Sequence, residues 1–362
     1  MTNPQVIAFY LPQFHAIPEN NRWWGEGFTE WTNTRKAKPL FAGHNQPREP
    51  MNDYYYDLTD AAARKWQAET ASRYGVDGFC YYHYWFKGKT LLEAPLQEVL
   101  RLGEPDFPFC LSWANEPWTR AWDGMEEHIL MDQDYGDQAD WQAHFDYLLP
   151  AFKDPRYICI EERPVFLIYR PASIPNCTEM LTYWNEQAQT HGLAGIYFVE
   201  TLNSFDLPIV PGFDASVEFE PMYTMRHQMP NALHVVNEFT TGETTVHIFD
   251  YERVWTRILG RMPDQIVKRN AERGVKQTFV GAFCDWDNAA RSKHFVQLFH
   301  GVTPQKFAVF FLHQLLRAKA MNSPFIFINA WNEWAEGAYL EPDRRFGYAF
   351  LEAIAQTLSL KE

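Results

Sequence analysis

The chain has 362 residues, 46 acidic against 32 basic, giving a formal charge of -14. No cluster of Lys and Arg interrupts that acidic balance, which argues against nucleic acid or an anionic membrane surface as a partner. With 22% charged and 46% hydrophobic residues the composition is that of a folded globular protein, and no run approaches the roughly 18 apolar residues of a membrane span.

"VIAFYL" (6–11) reads as a first strand with no basic segment before it, so no signal peptide is expected. Apolar runs recur at "VDGFCYYHY" (76–84), "FPFCLSW" (107–113), "PVFLIYR" (164–170) and "GIYFVET" (195–201). Three more follow at "ASVEFE" (215–220), "TFVGAFC" (278–284) and "PFIFINA" (324–330). Their hydrophobicity is continuous rather than alternating, as in parallel strands buried on both faces. Helical patterns lie between them, for example "DAAARKWQAETASRYG" and "PQKFAVFFLHQLLRAKA", starting after Asp, Thr or Pro and several ending at Gly. Eight strand–helix units in this length predict one α/β domain over residues 1–362, a (β/α)8 TIM-type barrel with long substrate-binding loops after strands 1, 3 and 6. A doubly wound sheet is the alternative, but its GxGxxG turn follows none of the strands. The five cysteines (Cys80, Cys110, Cys159, Cys177, Cys284) show no paired spacing. Scattered thiols of this kind suit a reducing compartment, so a cytoplasmic location is expected.

A barrel of this kind does its chemistry at the carboxyl ends of its strands, and those ends carry polar and aromatic residues throughout. Tyr10, His15 and Trp31 belong to the first end, and His83 to the second. "WANEPW" supplies Trp113, Asn115, Glu116 and Trp118, while Tyr169 ends the fourth strand. "DWDN" brings Asp285 and Trp286 after the seventh, and "NEWAEG" brings Asn332, Glu333, Trp334 and Glu336 after the eighth. The Asp-x-Asp of "DWDN" holds a metal in nucleotide-sugar transferases. With no nucleotide-binding unit beside it, hydroxyl binding is the favoured reading. No HExxH, paired CxxC or EF-hand pattern appears, so neither metal nor cofactor is expected.

Acids and aromatics around a cleft suit sugar chemistry. Aromatic faces cover the apolar face of a pyranose, and polar groups fix its hydroxyls. Cleavage of a glycosidic bond uses one carboxyl as proton donor and another as base or nucleophile. Glu333 and Glu336, three apart, lie about 5–6 Å from each other at Cβ if their turn is helical. Carboxyls that close push their pKa values apart, leaving one protonated and one ionised. Acids placed in a first helical turn for the dipole are the bland alternative. Glu116, after Asn115 in the arrangement many retaining barrel glycosidases use for their acid/base, is a second acid for the site, read as a hydroxyl-binding group, with the proton donor and an ion pair with Arg120 as alternatives.

The motifs also carry a resemblance. "NEWAEG" at the last strand is similar to the signature of glycoside hydrolase family 99, the endo-acting α-mannosidases. The fuller set is "AFYLPQFHAIPENNRWWGEGFTEWTN", "HNQPREP", "YGVDGFCYYHYWFKGKTLLEAP", "LSWANEPWTR" and "NAWNEWAEGAYLEPD". Together these resemble the WbsX-type relatives of that family across residues 8–343. The resemblance implies a (β/α)8 barrel and catalysis by Glu333 and Glu336. Glu333 would be the base toward the sugar's own 2-hydroxyl, and Glu336 the general acid/base. Ala335 stands where those hydrolases commonly carry His. The expected partner is an oligosaccharide or polysaccharide, with no membrane insertion. A glycosyltransferase of surface-polysaccharide (O-antigen) assembly and a non-catalytic carbohydrate-binding barrel are the alternative functions.

Overall fold

A computed structural model describes residues 3–120, 125–229 and 235–360. Eight strands form its centre: β1 (Gln5–Tyr10), β2 (Gly78–Phe86), β3 (Phe109–Trp113), β4 (Arg163–Ile168), β5 (Tyr197–Leu202), β6 (Ala215–Glu218), β7 (Gln277–Phe283) and β8 (Phe325–Asn329). Each pairs in parallel with the next, and β8 returns to β1 with Val6 opposite Ile326. The sheet is therefore a closed barrel with no free edge. All eight strands lie where the sequence predicts them, to within about two residues.

Outside the barrel run α1 (Ala61–Arg73), α2 (Ala94–Leu102), α3 (Gln138–Phe152), α4 (Cys177–Thr190), α5 (Tyr251–Leu259), α6 (Pro263–Arg273), α7 (Pro304–Ala320) and α8 (Ala349–Ser359). Local chemistry sets their ends. Asp60, Asp137, Asp250 and Thr303 each accept a backbone N–H in the first turn, satisfying donors the helix itself leaves unpaired. Among the described residues no helix is long and apolar enough to cross a membrane.

The strict alternation expected from sequence fails at one step. β5 passes to β6 through residues 203–214 without a helix, whereas the β6–β7 connection carries both α5 and α6. The long loops build structure of their own. After β3, Trp118–Arg120 pairs with Met125–Met131 as a hairpin. Val235–Thr241, Thr244–Asp250 and Phe295–His300 form a small sheet beside the barrel, drawing on the loops after β6 and β7.

Strand geometry then decides what faces the site. Successive side chains of a strand point to opposite faces. On β1 and β2, Phe9 and Tyr82 point inward and stack on each other, with ring centroids 5.7 Å apart. Their neighbours Tyr10 and His83 point outward onto helices. Tyr10 donates its hydroxyl to Gln67 of α1, and His83 lies 2.8 Å from His144 of α3.

Candidate active site

A cavity of about 630 Å³ opens at the carboxyl ends of the strands, with Glu333 and Glu336 in its wall. Both belong to the turn after β8, where Trp334–Glu336 makes a single 3-10 turn ending at Gly337. Gly337 has φ 64, and a Cβ there would sit 2.9 Å from the backbone nitrogen of Asp287, so the position requires glycine.

The turn is held from several sides. The Asn332 side chain accepts from the Leu11 N–H at 2.7 Å and donates to the Leu11 carbonyl at 2.9 Å. Trp334 stacks on Tyr339 at 3.8 Å and donates its indole N–H to Glu341. Glu30 accepts the Ala335 N–H at 2.8 Å, and the Asp287 N–H reaches the Glu336 carbonyl at 2.6 Å. With the backbone fixed, the two carboxylates have one common partner. Arg291 donates Nη1 to Glu336 at 2.6 Å, and Nη2 to Glu333 at 3.3 Å and to Glu30 at 3.1 Å.

Three carboxyl groups thus surround one guanidinium in a buried cluster. Burial pushes the Glu333 carboxyl well up, and the nearby Glu336 pushes it further against the pull of Arg291. Burial also raises Glu336, with Arg291 opposing. Arg291 lies closer to Glu336, so Glu333 is the member of the pair that more readily holds a proton. The rest of the wall is largely aromatic: Tyr82 and Tyr84 from β2, Trp118 on the hairpin, Tyr169 after β4, and Trp286 after β7. Gln13 Nε2 and Trp286 Nε1 are buried donors with no acceptor among the described residues, on side chains of this same wall.

Of the residues predicted for the site, the structure brings Glu333, Glu336, Glu116, Trp118, Tyr169 and Trp286 to this cavity. Glu116 pairs with Arg170 at 3.1 Å rather than with Arg120, and burial raises its pKa against that cation. The others stand elsewhere, each with structural company. Tyr10, His83 and Trp113 face the helices, Trp113 against His144 and Trp184. His15 is buried with Nδ1 on the Pro12 carbonyl. Trp31 packs between Phe14 and Trp334, its N–H on the Tyr56 carbonyl. Asn115 bonds both the N–H and the carbonyl of Arg170, while Asn332 and Trp334 hold the turn. Asp285 is an ion-pair partner of Arg48 at 2.9 Å.

The "DWDN" acids therefore meet "HNQPREP". Asp287 accepts from Gln46 at 2.8 Å, His44 at 2.9 Å and Arg48 at 3.3 Å. Burial pushes its pKa up, but the His44 and Arg48 contacts outweigh that and hold the carboxyl below its ordinary range. The sequence reading missed Arg291, Glu30, Gln13, Tyr82 and Tyr84. Only the tyrosines carried a signal, as the inward partners of His83 in an alternating strand.

The sequence model of the family described as "Glycosyltransferase WbsX" matches residues 6–354. Two proteins named "Uncharacterized protein WxcX", from two strains of Xanthomonas campestris pv. campestris, are 37% identical over 360 residues, 98% of this chain. The chain spans about half the length of these curated relatives, 49% of each. Among solved structures, a "Glycoside hydrolase-like protein" superposes with a TM-score of 0.66 at 12% identity, covering 100% of this chain and 95% of that one. The family 99 endo-α-mannosidase of Bacteroides thetaiotaomicron superposes with a TM-score of 0.56, also at 12% identity, covering 99% and 97%. At that identity the likeness is one of fold. The chain belongs to the WbsX family, a carbohydrate-active family, and shares the (β/α)8 barrel of the family 99 glycoside hydrolases.

Proposed function

We propose that this protein cleaves glycosidic bonds of an oligosaccharide or polysaccharide by acid–base chemistry from Glu333 and Glu336. The observation that carries this reading is the pair itself: the buried Glu333 carboxyl and the half-buried Glu336 carboxyl on one aromatic-walled cavity, sharing one guanidinium. Such cleavage needs a proton for the departing oxygen and a second carboxylate to activate the attacking group. Burial raises both carboxyls of the pair, Glu333 the more because Glu336 repels its charge, which favours a proton shared by the pair as it enters the reaction.

The roles follow from how a sugar perturbs that proton. At rest the shorter Arg291 contact favours the anion at Glu336. A sugar hydroxyl donating to Glu333 stabilises the Glu333 anion, and the shared proton then passes to Glu336. Glu333 becomes the base toward that hydroxyl, and Glu336 the donor to the leaving oxygen. The Gln13 and Trp286 donors, unpaired among the described residues, hold further oxygens of the ring, and the aromatic wall covers its apolar face.

The family description supports a second reading, transfer of a glycosyl unit, in which the same base would deprotonate an acceptor hydroxyl. A panel of aryl glycosides and polysaccharides, with and without nucleotide sugars, separates the two. Because one structural neighbour is an endo-α-mannosidase, α-mannosides head that panel. Release of aryl groups or reducing ends without added nucleotide, lost in Glu336→Gln, is the expected result. Turnover only in the presence of a nucleotide sugar contradicts the hydrolase reading.

A further inference from the structure

The single break in the strand–helix alternation coincides with a second cavity. Where β5 leads to β6 without a helix, an opening of about 360 Å³ is walled by residues of that connection, of the loop after β4, and of α6. Tyr169, Arg170, Ser204 and Phe205 belong to its wall and also to that of the cavity holding Glu333 and Glu336. The two cavities therefore adjoin along one ridge. The ridge is tied together by its own contacts: the Arg170 guanidinium lies 3.8 Å over the Phe205 ring, and Asn203 donates to the Tyr169 carbonyl at 2.6 Å.

We infer that the second cavity is a distal subsite, taking an uncharged pyranose unit of the same glycan chain whose bond lies at Glu333 and Glu336. This rests on the carbohydrate reading given above and adds the length and direction of the substrate. Three observations support it. Thr201 is 1% exposed, its hydroxyl has no partner among the described residues, and it lies in this wall, so a polar ligand would satisfy it. Phe205 and Tyr169 give the ridge aromatic surface on which a sugar's C–H face can rest as the chain crosses. Each of the three arginines in the wall already has a carboxylate partner, one of them (Glu116) in the adjoining cavity, which favours a hydroxyl-bearing unit over an anionic one. Arg273 grips Glu200 through Nε at 2.5 Å and Nη2 at 2.6 Å, Arg170 pairs with Glu116, and Arg226 stands 3.8 Å from Asp206.

The test measures binding of α-linked manno-, gluco-, galacto- and rhamno-oligosaccharides of one to four units by calorimetry. It uses the full chain in wild-type form, as Ala172→Trp, which narrows the second cavity from its exposed rim, and as Thr201→Val, which removes the buried hydroxyl. For the series that binds, wild-type affinity should rise about tenfold or more between two and four units. Ala172→Trp should flatten that rise while leaving the affinity of the shortest ligand unchanged, and Thr201→Val should reduce it. Thermal melting identifies any variant that has lost its fold. A length-independent wild-type affinity, or equal weakening of short and long ligands by a folded Ala172→Trp, overturns the distal subsite and leaves the catalytic reading standing. Failure of every series at every length overturns both. Preferential binding of an acidic chain, weakened by salt, overturns the uncharged assignment.

Discussion

Replacing Glu333 by Gln should leave the fold intact and raise its stability at alkaline pH. A carboxyl whose pKa is raised on folding favours the folded state only when protonated. That contribution is lost as pH rises through the raised value. The amide removes this loss, so the melting temperature of Glu333→Gln should equal or exceed that of wild type at pH 8, with less difference at pH 5. Arg291→Met should do the reverse. It leaves three clustered carboxyl groups without their cation, a change that costs about 3–5 kcal/mol. Because the stranded acids take up protons, melting of this variant should recover as pH falls. Catalysis separates the two acids differently. Glu336→Gln and Glu333→Gln should each lose about 10²–10⁴-fold in kcat. Only Glu336→Gln should regain rate on an aryl glycoside whose leaving group needs no proton. Rescue of Glu333→Gln instead would exchange the roles. At this scale the carboxylate pair was legible because two acids stood where an apolar strand ended. Arg291 was not, since an arginine in "NAARSKH" acquires its meaning only when the chain after β7 folds against the turn after β8.

The turn after β8 depends on elements far away in sequence, and Glu341 shows how. It is 3% exposed and accepts from Tyr56 at 2.8 Å, Gln67 at 2.7 Å and Trp334 at 2.7 Å. Burial raises its pKa to about 7, with those donors opposing. An amide in its place turns one acceptor atom into a donor facing other donors. Glu341→Gln should therefore cost about 1–3 kcal/mol, read as a lower urea midpoint at unchanged slope. Asp287 braces the turn from the other side, and its N–H holds the Glu336 carbonyl while its carboxylate is gripped by His44, Gln46 and Arg48. The two sequence motifs "HNQPREP" and "DWDN" are thus halves of one brace. Nothing in either stretch alone reveals the other, because the pairing spans more than 230 residues of chain, from Arg48 to Asp287.

For the molecule as a whole, continuous apolar runs made the eight strands readable, because a strand buried on both faces has no polar side to obscure it. The same continuity hid which side chains face inward. Tyr10, His83 and Trp113 were predicted to bind substrate, yet Phe9 faces inward beside Tyr10, Tyr82 and Tyr84 beside His83, and Ala114 lines the cavity beside Trp113, each one position away. An error of one residue moves a side chain from the cavity to the helix layer. Composition anticipated many aromatic residues around a cleft, and several loop tryptophans, Trp31 among them, instead form the packing beneath it. The helix missing between β5 and β6 left no mark either, since "NSFDLPIVPGFD" (203–214) reads as an ordinary loop. That short connection is where the barrel opens its second cavity.

The claim on which the account rests is that Glu333 and Glu336 share a proton near neutral pH, and it can be measured without knowing the substrate. Carbon-13 NMR of the protein labelled at glutamate side-chain carboxyls follows each titration directly, with Glu333→Gln and Glu336→Gln assigning the signals. The predicted result is a Glu333 carboxyl titrating well above the ordinary range of about 4.3. Its chemical shift should respond to the ionisation of Glu336, and the Glu333 titration should move down when Glu336 becomes an amide. Two independent titrations within the ordinary carboxylate range, each unchanged by the other's replacement, would contradict it.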